Sequence, residues 1–428
     1  MPTQSADSDR RESGAPALTL TRWLFECLRL GFVGVGGGLS ILGQAGDRLV
    51  RNGWVSERDW VRTSALAQLI PGGAASNALA DVGRKRFGVL AALGSVAIYV
   101  APSVALMIAL AGQWGAARNL ETIAPLLAGL NAGVVGLVGS VSYRFGRQGI
   151  ERAWQWGLAA GLVGLAVAGQ HLPVLLGMGA AVGLIAGLLK ARRTRARMVA
   201  RRARKSSDTS PKASDTSAPK SSDTSQKSSD TFGPKLLLPF ALKWPTLLAI
   251  PAATTAPLVL ILFGVFLRVG LLAWGGGLAA VALIEHESVA AHGWVSQADL
   301  ADAISLGQVT PGPMLVAAAF IGARAAGVVG GLAAAAGIFV GPALVVAFLG
   351  RVIEERQHLR VVKALFSGLV PAVLAAMAHA TLRLGEGLTR PLQFVMAAVV
   401  FALVTSRKLG PTLSLVLAGL VGLALLRH

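Results

Sequence analysis

Uninterrupted apolar runs of membrane length are the feature of this sequence that most limits its fold. Two of them, Val89–Gly112 and Ile123–Val141, are close to the roughly 20 residues that an α-helix needs to cross a bilayer core. The runs do not alternate between polar and apolar residues, which indicates helices and not the strands of a barrel. Only 14% of the 428 residues are charged, whereas soluble proteins have about 25%. We therefore predict an all-α polytopic membrane protein whose surrounding partner is the lipid bilayer.

The two halves of the chain repeat one sequence pattern. FECLRLGFVGVGGGL (Phe25–Leu39) matches GVFLRVGLLAWGGGL (Gly264–Leu278), and Gly-Trp-Val-Ser-x-x-Asp follows at Gly53–Asp59 and at Gly293–Asp299. A Gln-x-x-Pro-Gly string comes next in both halves. Matches of this length and order are too specific to come from compositional bias. Internal repeats of this kind are typical of secondary transporters.

The duplication sets the expected domain boundaries. We expect a polar tail (1–17), a first repeat (18–190), a basic and Ser/Thr/Asp/Lys-rich linker (191–235) and a second repeat (236–428). The linker is too polar to bury a core and is predicted to be disordered. Each repeat is predicted to have about five transmembrane helices. They are Leu18–Leu42, Val89–Gly112, Ile123–Val141, Ala153–Gly169 and Leu172–Leu189, and then Pro257–Leu283, Val328–Gly350, Val361–Ala380, Pro391–Thr405 and Pro411–Leu426.

The positions of Lys and Arg predict how the repeats lie in the membrane. In the first half, the basic loops 84–86, 144–152 and 190–205 fall on one side, and basic loops stay cytoplasmic. The loop 43–83 carries four arginines, whereas its counterpart 273–323 has acidic residues and no Lys or Arg. This contrast predicts two inverted repeats with the linker in the cytoplasm. The net charge of +19 is therefore assigned to membrane orientation and not to nucleic-acid binding.

A broken helix in each repeat is the main candidate for a binding site. Ser56 and Asp59 have the spacing of a helix N-cap, and helices over Glu57–Ile70 and Ala74–Asp81 would flank Pro71-Gly72. Each part is too short to span a membrane, which favours a re-entrant hairpin with Pro-Gly at its tip. Helix N-termini at two such tips attract anions. The alternatives are a packing kink and a surface turn. The second copy has Pro311-Gly312, and Gln68 and Gln308 precede the two tips.

Two arginines and two glycine triplets could complete an anion site. Arg29 and Arg268 each lie seven residues before a triplet, and arginine inside a spanning segment is costly and usually functional. Arginine also binds oxyanions through two hydrogen bonds. Snorkelling to the membrane interface explains both residues equally well. Unwinding at the triplets would expose backbone N–H groups, and close helix packing is the alternative. The triplet residues assigned to the site are Gly36, Gly37, Gly275 and Gly276.

The remaining titratable residues give weaker signals. Asp47 and Glu287 occupy equivalent places and could bind protons, although surface charge is the favoured interpretation. His286 and His292 have the wrong spacing for a zinc protease and are interpreted, with Glu287, as a solvated acidic loop. His379 is interpreted as a satisfied polar group in preference to a proton relay. We find no catalytic or metal-binding constellation and expect neither an enzyme nor a cofactor.

The repeated motif resembles the chromate ion transporter family, in its long form with two homologous halves. The resemblance rests on Gly31–Gly38, Asp47, Gly53–Asp59 and Gln68–Gly73, and on the matching strings of the second half. Gly38 and Gly73 depart from the prolines that are usual in the family. The resemblance implies a multi-pass protein of the inner membrane that exports chromate and confers resistance. Transport of sulfate or another small anion, and a structural membrane role, remain as alternatives, and a homo-oligomer stays open.

Overall fold

The computed structural model describes residues 18–34, 38–117, 123–170, 174–189, 258–273, 277, 280–356 and 360–426. Within these ranges, every regular element is a helix. Both halves of the chain form one compact unit, Met1–Ile185 with Pro257–His428. A second unit, Ala186–Ala256, is described only over 186–189. The predicted tail (1–17) and linker (191–235) therefore lie outside the described residues.

Eight helices form the described part of the first copy. The helix that begins at Glu57 starts as predicted, because Ser56 Oγ accepts a hydrogen bond from the Asp59 N–H at 3.1 Å. The helices are α1 Leu20–Val33, α2 Gly38–Arg51, α3 Glu57–Leu69, α4 Ala74–Phe87, α5 Val89–Ala117, α6 Ile123–Gly149, α7 Ala153–Val167 and α8 Val174–Leu189.

The second copy repeats this order with local differences. Its helices are α9 Leu258–Leu272, α10 Ala280–Glu285, α11 Gln297–Val309, α12 Ala317–Leu344, α13 Gly350–Arg356, α14 Arg360–Gly385, α15 Pro391–Thr405 and α16 Pro411–Leu425. A π-helix, His286–Ala291, continues α10, and a 3-10 turn, Met314–Val316, precedes α12. Helix α12 is broken at Ala326 and Gly327, where Gly327 has φ +64°. The first copy bends at Gly88, with φ +92°, between α4 and α5. The two parts of α12 therefore correspond to α4 and α5.

The apolar helices coincide with most of the predicted spans. Four helical stretches of the described chain are long and apolar enough to cross a membrane: Val89–Trp114, Ile123–Gly149, Met314–Glu355 and Ser367–Gly385. Five further apolar helices, α7, α8, α9, α15 and α16, are shorter. A helix of 15 residues is only about 22 Å long, so five crossings per copy stay a prediction.

The first predicted span of each copy is wrong as a continuous helix. Leu18–Leu42 is interrupted because α1 ends at Val33 and α2 begins at Gly38. Pro257–Leu283 is interrupted because α9 ends at Leu272 and α10 begins at Ala280. Gly34, the residue after α1, has extended backbone dihedrals and not helical ones. The glycine-rich sequence at these points is a poor helix former, which explains why the apolar run does not continue as one helix.

The two copies run in opposite directions. Helices α6 and α14 are equivalent and pack against each other, with Gly139 beside Thr381 and Gly149 beside Val370. The residue number therefore rises along α6 while it falls along α14. Equivalent helices that meet in antiparallel fashion require the copies to be inverted relative to one another, as the loop charges predict.

A second pair of equivalent helices gives the same result. Ile108 of α5 lies against Gly331 in the second part of α12. Lys85, just before α5, pairs with Glu354 of α13 at 3.4 Å between Nζ and Oε2. The residue number falls from Ile108 to Lys85 while it rises from Gly331 to Glu354, so these two helical stretches are also antiparallel. Because α5 and α12 pack together, both copies contribute to one buried core.

Small residues set the close contacts between the copies. Gly129 of α6 lies against the backbone of Ala418 and Gly422 on α16, where a Cβ atom would overlap their atoms. The same contact occurs with the copies exchanged, where Gly368 of α14 lies against Gly179 and Gly183 of α8. The abundance of glycine in the sequence therefore serves close packing of helices at these positions.

Candidate functional site

Each copy has a broken helix with Pro-Gly at the break, as predicted. Helices α3 and α4 are separated by the turn that contains Pro71 and Gly72, and α11 is separated from the 3-10 turn by Pro311 and Gly312. Gly72 has φ +100° and Gly312 has φ +109°, values that only glycine adopts without strain. The helix after the first break reaches Phe87 and not Asp81. We refer to residues 70–73 and 310–313 as the two hairpin tips.

The two tips are bound reciprocally to the helix breaks of the opposite copy. The Gly72 N–H donates to the carbonyl oxygen of Ala273 at 2.9 Å, and the Gly312 N–H donates to that of Gly34 at 2.7 Å. Ala273 directly follows α9, and Gly34 directly follows α1. In two equivalent places, the tip of one copy thus meets the residue that directly follows a helix of the other copy. Backbone groups freed from a helix inside a membrane need partners, and here each tip supplies one.

The first tip is held by a side chain that the sequence did not single out. Asn77, on the first turn of α4, is buried, and its Nδ2 donates to the carbonyls of Ala67 (3.2 Å), Ile70 (3.2 Å) and Pro71 (3.0 Å). This amide ties α4 to the end of α3 and fixes the turn between them. The sequence signal for this role was the position of Asn77, an amide that follows Pro-Gly-Gly after three small residues.

The second tip is held from the opposite copy. Ser103 Oγ donates to the carbonyl of Pro311 at 2.6 Å, while the position that matches Asn77 is occupied by Ala317. Ser103 follows Pro102 of α5, and the matching Pro342 of α12 packs against Gly72. The first tip therefore packs on the proline of the other copy's long helix, and the second tip on the serine that follows the equivalent proline. The two tips have the same backbone geometry but different side-chain supports.

Helix N-termini lie directly after both tips. Gly73 is the N-cap of α4 and Pro313 is the N-cap of the 3-10 turn before α12, and neither end has a side-chain cap hydrogen bond. An α-helix N-terminus carries about half a positive charge. The arrangement is therefore suited to an anion. The triplet residues Gly36, Gly37, Gly275 and Gly276 lie outside the described residues.

Arg268 and Glu287, predicted separately, form one ion pair. Arg268 Nη2 of α9 lies 2.6 Å from Glu287 Oε2, and their side chains are 18% and 6% exposed. The interpretation of Glu287 as surface charge is wrong, because the π-helix packs it inside the bundle. The first copy has an ion pair between the corresponding helices, Glu26 on α1 with Arg48 on α2. The polarity of the pair is thus reversed between the copies.

The matching residues of the first copy are not brought together. Arg29 and Asp47 are both exposed. The two glutamines also differ: Gln68 is exposed and donates to the Ser64 carbonyl at 3.1 Å, whereas Gln308 is buried. Duplication therefore preserves the residue types but not their surroundings.

The interpretation of His286, Glu287 and His292 as a solvated acidic loop is wrong at Glu287, and two nearby carboxylates share its burial. Glu285, Glu287 and Asp302 are all buried. Asp302 accepts hydrogen bonds from Trp114 Nε1 at 3.1 Å and from Asn131 Nδ2 at 2.9 Å, both in the first copy. Glu285 lies on α10, which packs on α14, and Glu287 lies on the π-helix that continues α10.

Two further polar residues, the buried Asp81 and the half-buried His379, were missed or misjudged. Asp81 on α4 is fully buried, lies 2.6 Å from Arg84 and 2.7 Å from Lys85, and accepts a hydrogen bond from the Thr63 hydroxyl at 2.8 Å. His379 is not a satisfied polar group, because its Nδ1 is buried and has no hydrogen-bond partner in the described part of the chain. Both were hard to identify because sequence does not show which face of a helix is buried.

Comparison with known families gives one match that covers most of the chain. The family model described as "Chromate transporter" matches residues 21–184 and again residues 260–423. The two matched segments correspond to the two copies. No solved structure matches the chain.

Two curated relatives are similar over nearly the whole length of this chain, and a third over about the length of one copy. A "Probable chromate transport protein" of Synechococcus elongatus is 25% identical over 95% of both chains. A "Chromate transport protein" of Cupriavidus metallidurans is 24% identical over 97% of this chain and 96% of its own. The "Uncharacterized transporter YwrA" of Bacillus subtilis is 28% identical over 38% of this chain and 93% of its own length. That relative has the size of a single copy.

Proposed function

Since the chain belongs to the chromate transporter family, we propose that it is a secondary transporter that exports chromate across the cytoplasmic membrane and so confers resistance. Chromate is a tetrahedral oxyanion, and the substrate site would lie at the two hairpin tips. The reciprocal hydrogen bonds of Gly72 with Ala273 and of Gly312 with Gly34 are the observation that carries this proposal.

The support comes from how these bonds join the copies. Each tip touches a helix break of the opposite, inverted copy, so movement of one copy against the other changes both tips together. Inverted repeats with discontinuous helices at their interface are a common basis of alternating access. Tilting the copies in one direction would open the tips to the cytoplasm, and tilting them in the other would open them to the outside.

The groups that would hold the anion are mainly backbone groups. The N-terminus of α4 and the turn before α12 would supply N–H donors beside Pro71-Gly72 and Pro311-Gly312. Gln308, which is buried, is a better placed amide than the exposed Gln68. Arg268 would attract the anion while it shares its charge with Glu287. We propose Arg29, exposed on α1, as a residue that raises the local anion concentration.

Membrane potential would supply part of the energy for export. Moving one elementary charge across 100 mV is worth about 2.3 kcal/mol, and the inside-negative potential drives anions outward. A dianion gains roughly twice that amount, about 4.6 kcal/mol per 100 mV. Export therefore needs no nucleotide, and a proton gradient would add to this driving force.

The test is uptake of radiolabelled chromate into inverted membrane vesicles, because uptake there corresponds to export from the cell. We expect uptake that depends on the potential and is competed by excess sulfate. The matched control is a Gly312→Ala variant, in which the tip cannot keep its backbone. Uptake of sulfate without chromate would support the transport of another anion. No uptake of either anion in vesicles with folded protein would support a structural role.

Membrane orientation is tested separately. We propose that the protein is a multi-pass protein of the inner membrane with a cytoplasmic linker, so the loops around Trp54 and Trp294 should lie on opposite sides. A single cysteine placed in each loop, in a Cys27→Ser background, would be labelled by an impermeant reagent in intact cells. Labelling of only the Trp294 loop is expected. Labelling of both loops would refute this orientation.

A further inference from the structure

A cavity of about 370 Å³ lies apart from the hairpin tips and carries a cluster of titratable side chains. The first copy contributes the end of α7, the turn after it and Leu175 of α8, and the second copy contributes α10, its π-helix and α14. Its polar lining residues are Gln170, Glu285, His286, His379 and Arg383. The proposed transport path does not use this cluster.

Glu285 is the most enclosed ionisable group in the cavity. Its side chain is 4% exposed, and its Oε1 accepts no hydrogen bond within the described residues. The nearest cation is Arg383, whose Nε is 3.7 Å from this oxygen. Arg383 donates instead from Nη1 to Glu386 at 2.8 Å. The buried carboxylate is therefore paired loosely with an arginine that binds an exposed competitor more closely.

An incompletely paired buried carboxylate is a group that readily takes up a proton. Burial disfavours the charged form, and full pairing with hydrogen bonds is what normally offsets that cost. Burial raises the pKa of Glu285, and Arg383 opposes this shift without cancelling it. Glu285 lies outside the four helical stretches that are long and apolar enough to cross a membrane.

We propose that Glu285 is the proton-binding group of the transport cycle, with Arg383 as the partner it gains on ionisation and His379 as its neighbour across the cavity. The proposal rests on the proposed function, since a transport cycle is what the proton would be coupled to. It replaces Asp47, which is exposed, and Glu287, which is held by Arg268. On the proposed orientation, the proton would enter from the external side.

Several helices bring titratable or charged groups near Glu285. Helix α14 brings His379, Arg383 and Glu386, and the π-helix brings His286 and Glu287. Arg268 of α9 faces Glu287, and Asp299 and Asp302 of α11 are hydrogen-bonded to Ser296 and to Trp114 with Asn131. Arg383 is the cation nearest to Glu285. A change in the charge of the Glu285 carboxyl therefore acts mainly on the position of the Arg383 side chain.

The location of Glu285 connects the proton to the candidate anion site. Glu285 ends α10, which is six residues or about 9 Å long. This helix begins just after the break at Ala273, whose carbonyl holds the first tip. Protonation would weaken the attraction between α10 and Arg383 on α14. The short helix could then shift, and the break that receives Gly72 would shift with it.

The first copy lacks an equivalent group. Ala45 matches Glu285, because each lies nine residues before the tryptophan of the Gly-Trp-Val-Ser string. Ser140 and Arg144 match His379 and Arg383 when Gly129 and Gly146 are aligned with Gly368 and Gly385. Only the arginine is kept. One such proton site per chain is therefore expected, and it would make the cycle respond to pH on one side of the membrane.

Two measurements on reconstituted protein test the proposal. The first is chromate transport in proteoliposomes as the pH is varied on one side at a time, with the membrane potential clamped by a potassium ionophore. We compare the wild type with Glu285→Gln, with Glu285→Asp and with Glu386→Gln, which removes the exposed competitor for Arg383. The second is infrared difference spectroscopy of the purified protein between acidic and neutral pH, which detects protonated buried carboxyls without any transport.

The expected result is a one-sided pH dependence in the wild type, approaching about tenfold per pH unit beyond the midpoint, because the protonated fraction changes tenfold per unit there. Glu285→Gln should transport at a rate that no longer depends on that pH and should lose one carboxyl band. Glu285→Asp should restore a dependence with a shifted midpoint, and Glu386→Gln should keep the dependence. Unchanged pH dependence and an unchanged carboxyl band in Glu285→Gln would overturn the proposal. If the wild type moves no anion, the proposed function fails, and the infrared band alone decides whether Glu285 titrates.

Discussion

Replacing Gly72 with alanine tests whether the first hairpin tip has the backbone conformation and the close contact described above. Gly72 has φ +100°, and a Cβ atom there would lie 2.7 Å from Cγ of Pro342. Pro342 is fixed within α12 and its ring cannot rotate away. Either the tip or the long helix of the other copy must therefore move.

The magnitude follows from two contributions. A left-handed backbone costs an L-residue about 1–2 kcal/mol, and forced overpacking in a close-packed interior costs about 1–3 kcal/mol more. Their sum, roughly 2–5 kcal/mol, is a large part of the 5–15 kcal/mol that stabilises a typical protein. Movement of the tip would also lengthen the hydrogen bond from the Gly72 N–H to Ala273, which is 2.9 Å.

The neighbouring Gly73 is a matched control. It has φ −81°, a value open to any residue, and its added Cβ would meet mainly Ser76 Oγ, at 2.8 Å, a hydroxyl that can rotate. We measure thermal unfolding in detergent at one scan rate, together with chromate uptake into vesicles. Gly72→Ala should lower both the unfolding temperature and the uptake, while Gly73→Ala should change each much less. Equal behaviour of the two variants would refute the proposed tip geometry.

Three other substitutions have defined outcomes. Asn77→Ala leaves buried carbonyls of the first tip without their donor and should cost about 2 kcal/mol, measured as a lower unfolding temperature, and no loss would mean that the amide does not hold the tip. Asp81→Asn removes the carboxylate that Arg84 and Lys85 share, and Lys85 then has Glu354, at 3.4 Å, as its remaining carboxylate partner, so the protein should lose roughly 3 kcal/mol of stability. Asp81→Glu keeps the negative charge and should lower the unfolding temperature less. Equal losses in the two variants would mean that the charge is not what matters there. Arg268→Ala removes the close ion-pair partner of the buried Glu287, which then has, among the described residues, only His292 Nδ1 at 3.8 Å. It should reduce both stability and uptake, whereas Arg29→Ala should leave the unfolding temperature unchanged. Full uptake by both arginine variants would remove these residues from the proposed site.

The sequence alone was sufficient for the features that depend on local chemistry. The length of the apolar runs predicted most of the helices, since a backbone in lipid must satisfy its hydrogen bonds internally. Ser56 with Asp59 predicted the start of α3, and Pro-Gly predicted the breaks at 71–72 and 311–312. The arginines of loop 43–83 and their absence from loop 273–323 predicted the inversion that the antiparallel packing of α6 on α14 confirms.

The environment of each charged side chain could not be predicted in the same way. Asp47 and Glu287 occupy equivalent positions, and so do Arg29 and Arg268, yet only Glu287 and Arg268 meet. The surface-charge interpretation of Glu287 and the satisfied interpretation of His379 failed because each depends on what a neighbouring helix brings. Residues distant in sequence decide whether a carboxylate in a polar-looking stretch is solvated or buried.

What the sequence determined by itself is therefore the duplicated helical unit, its direction and the positions of its breaks, because hydrophobicity, charge bias and proline act locally. Only the tertiary structure decided that each break is closed by the other copy's tip, through the Gly72 and Gly312 N–H groups. It also decided that Glu285 lies in a cavity between the copies. These contacts join residues more than 100 positions apart, and their geometry follows from how the helices pack and not from any nearby motif.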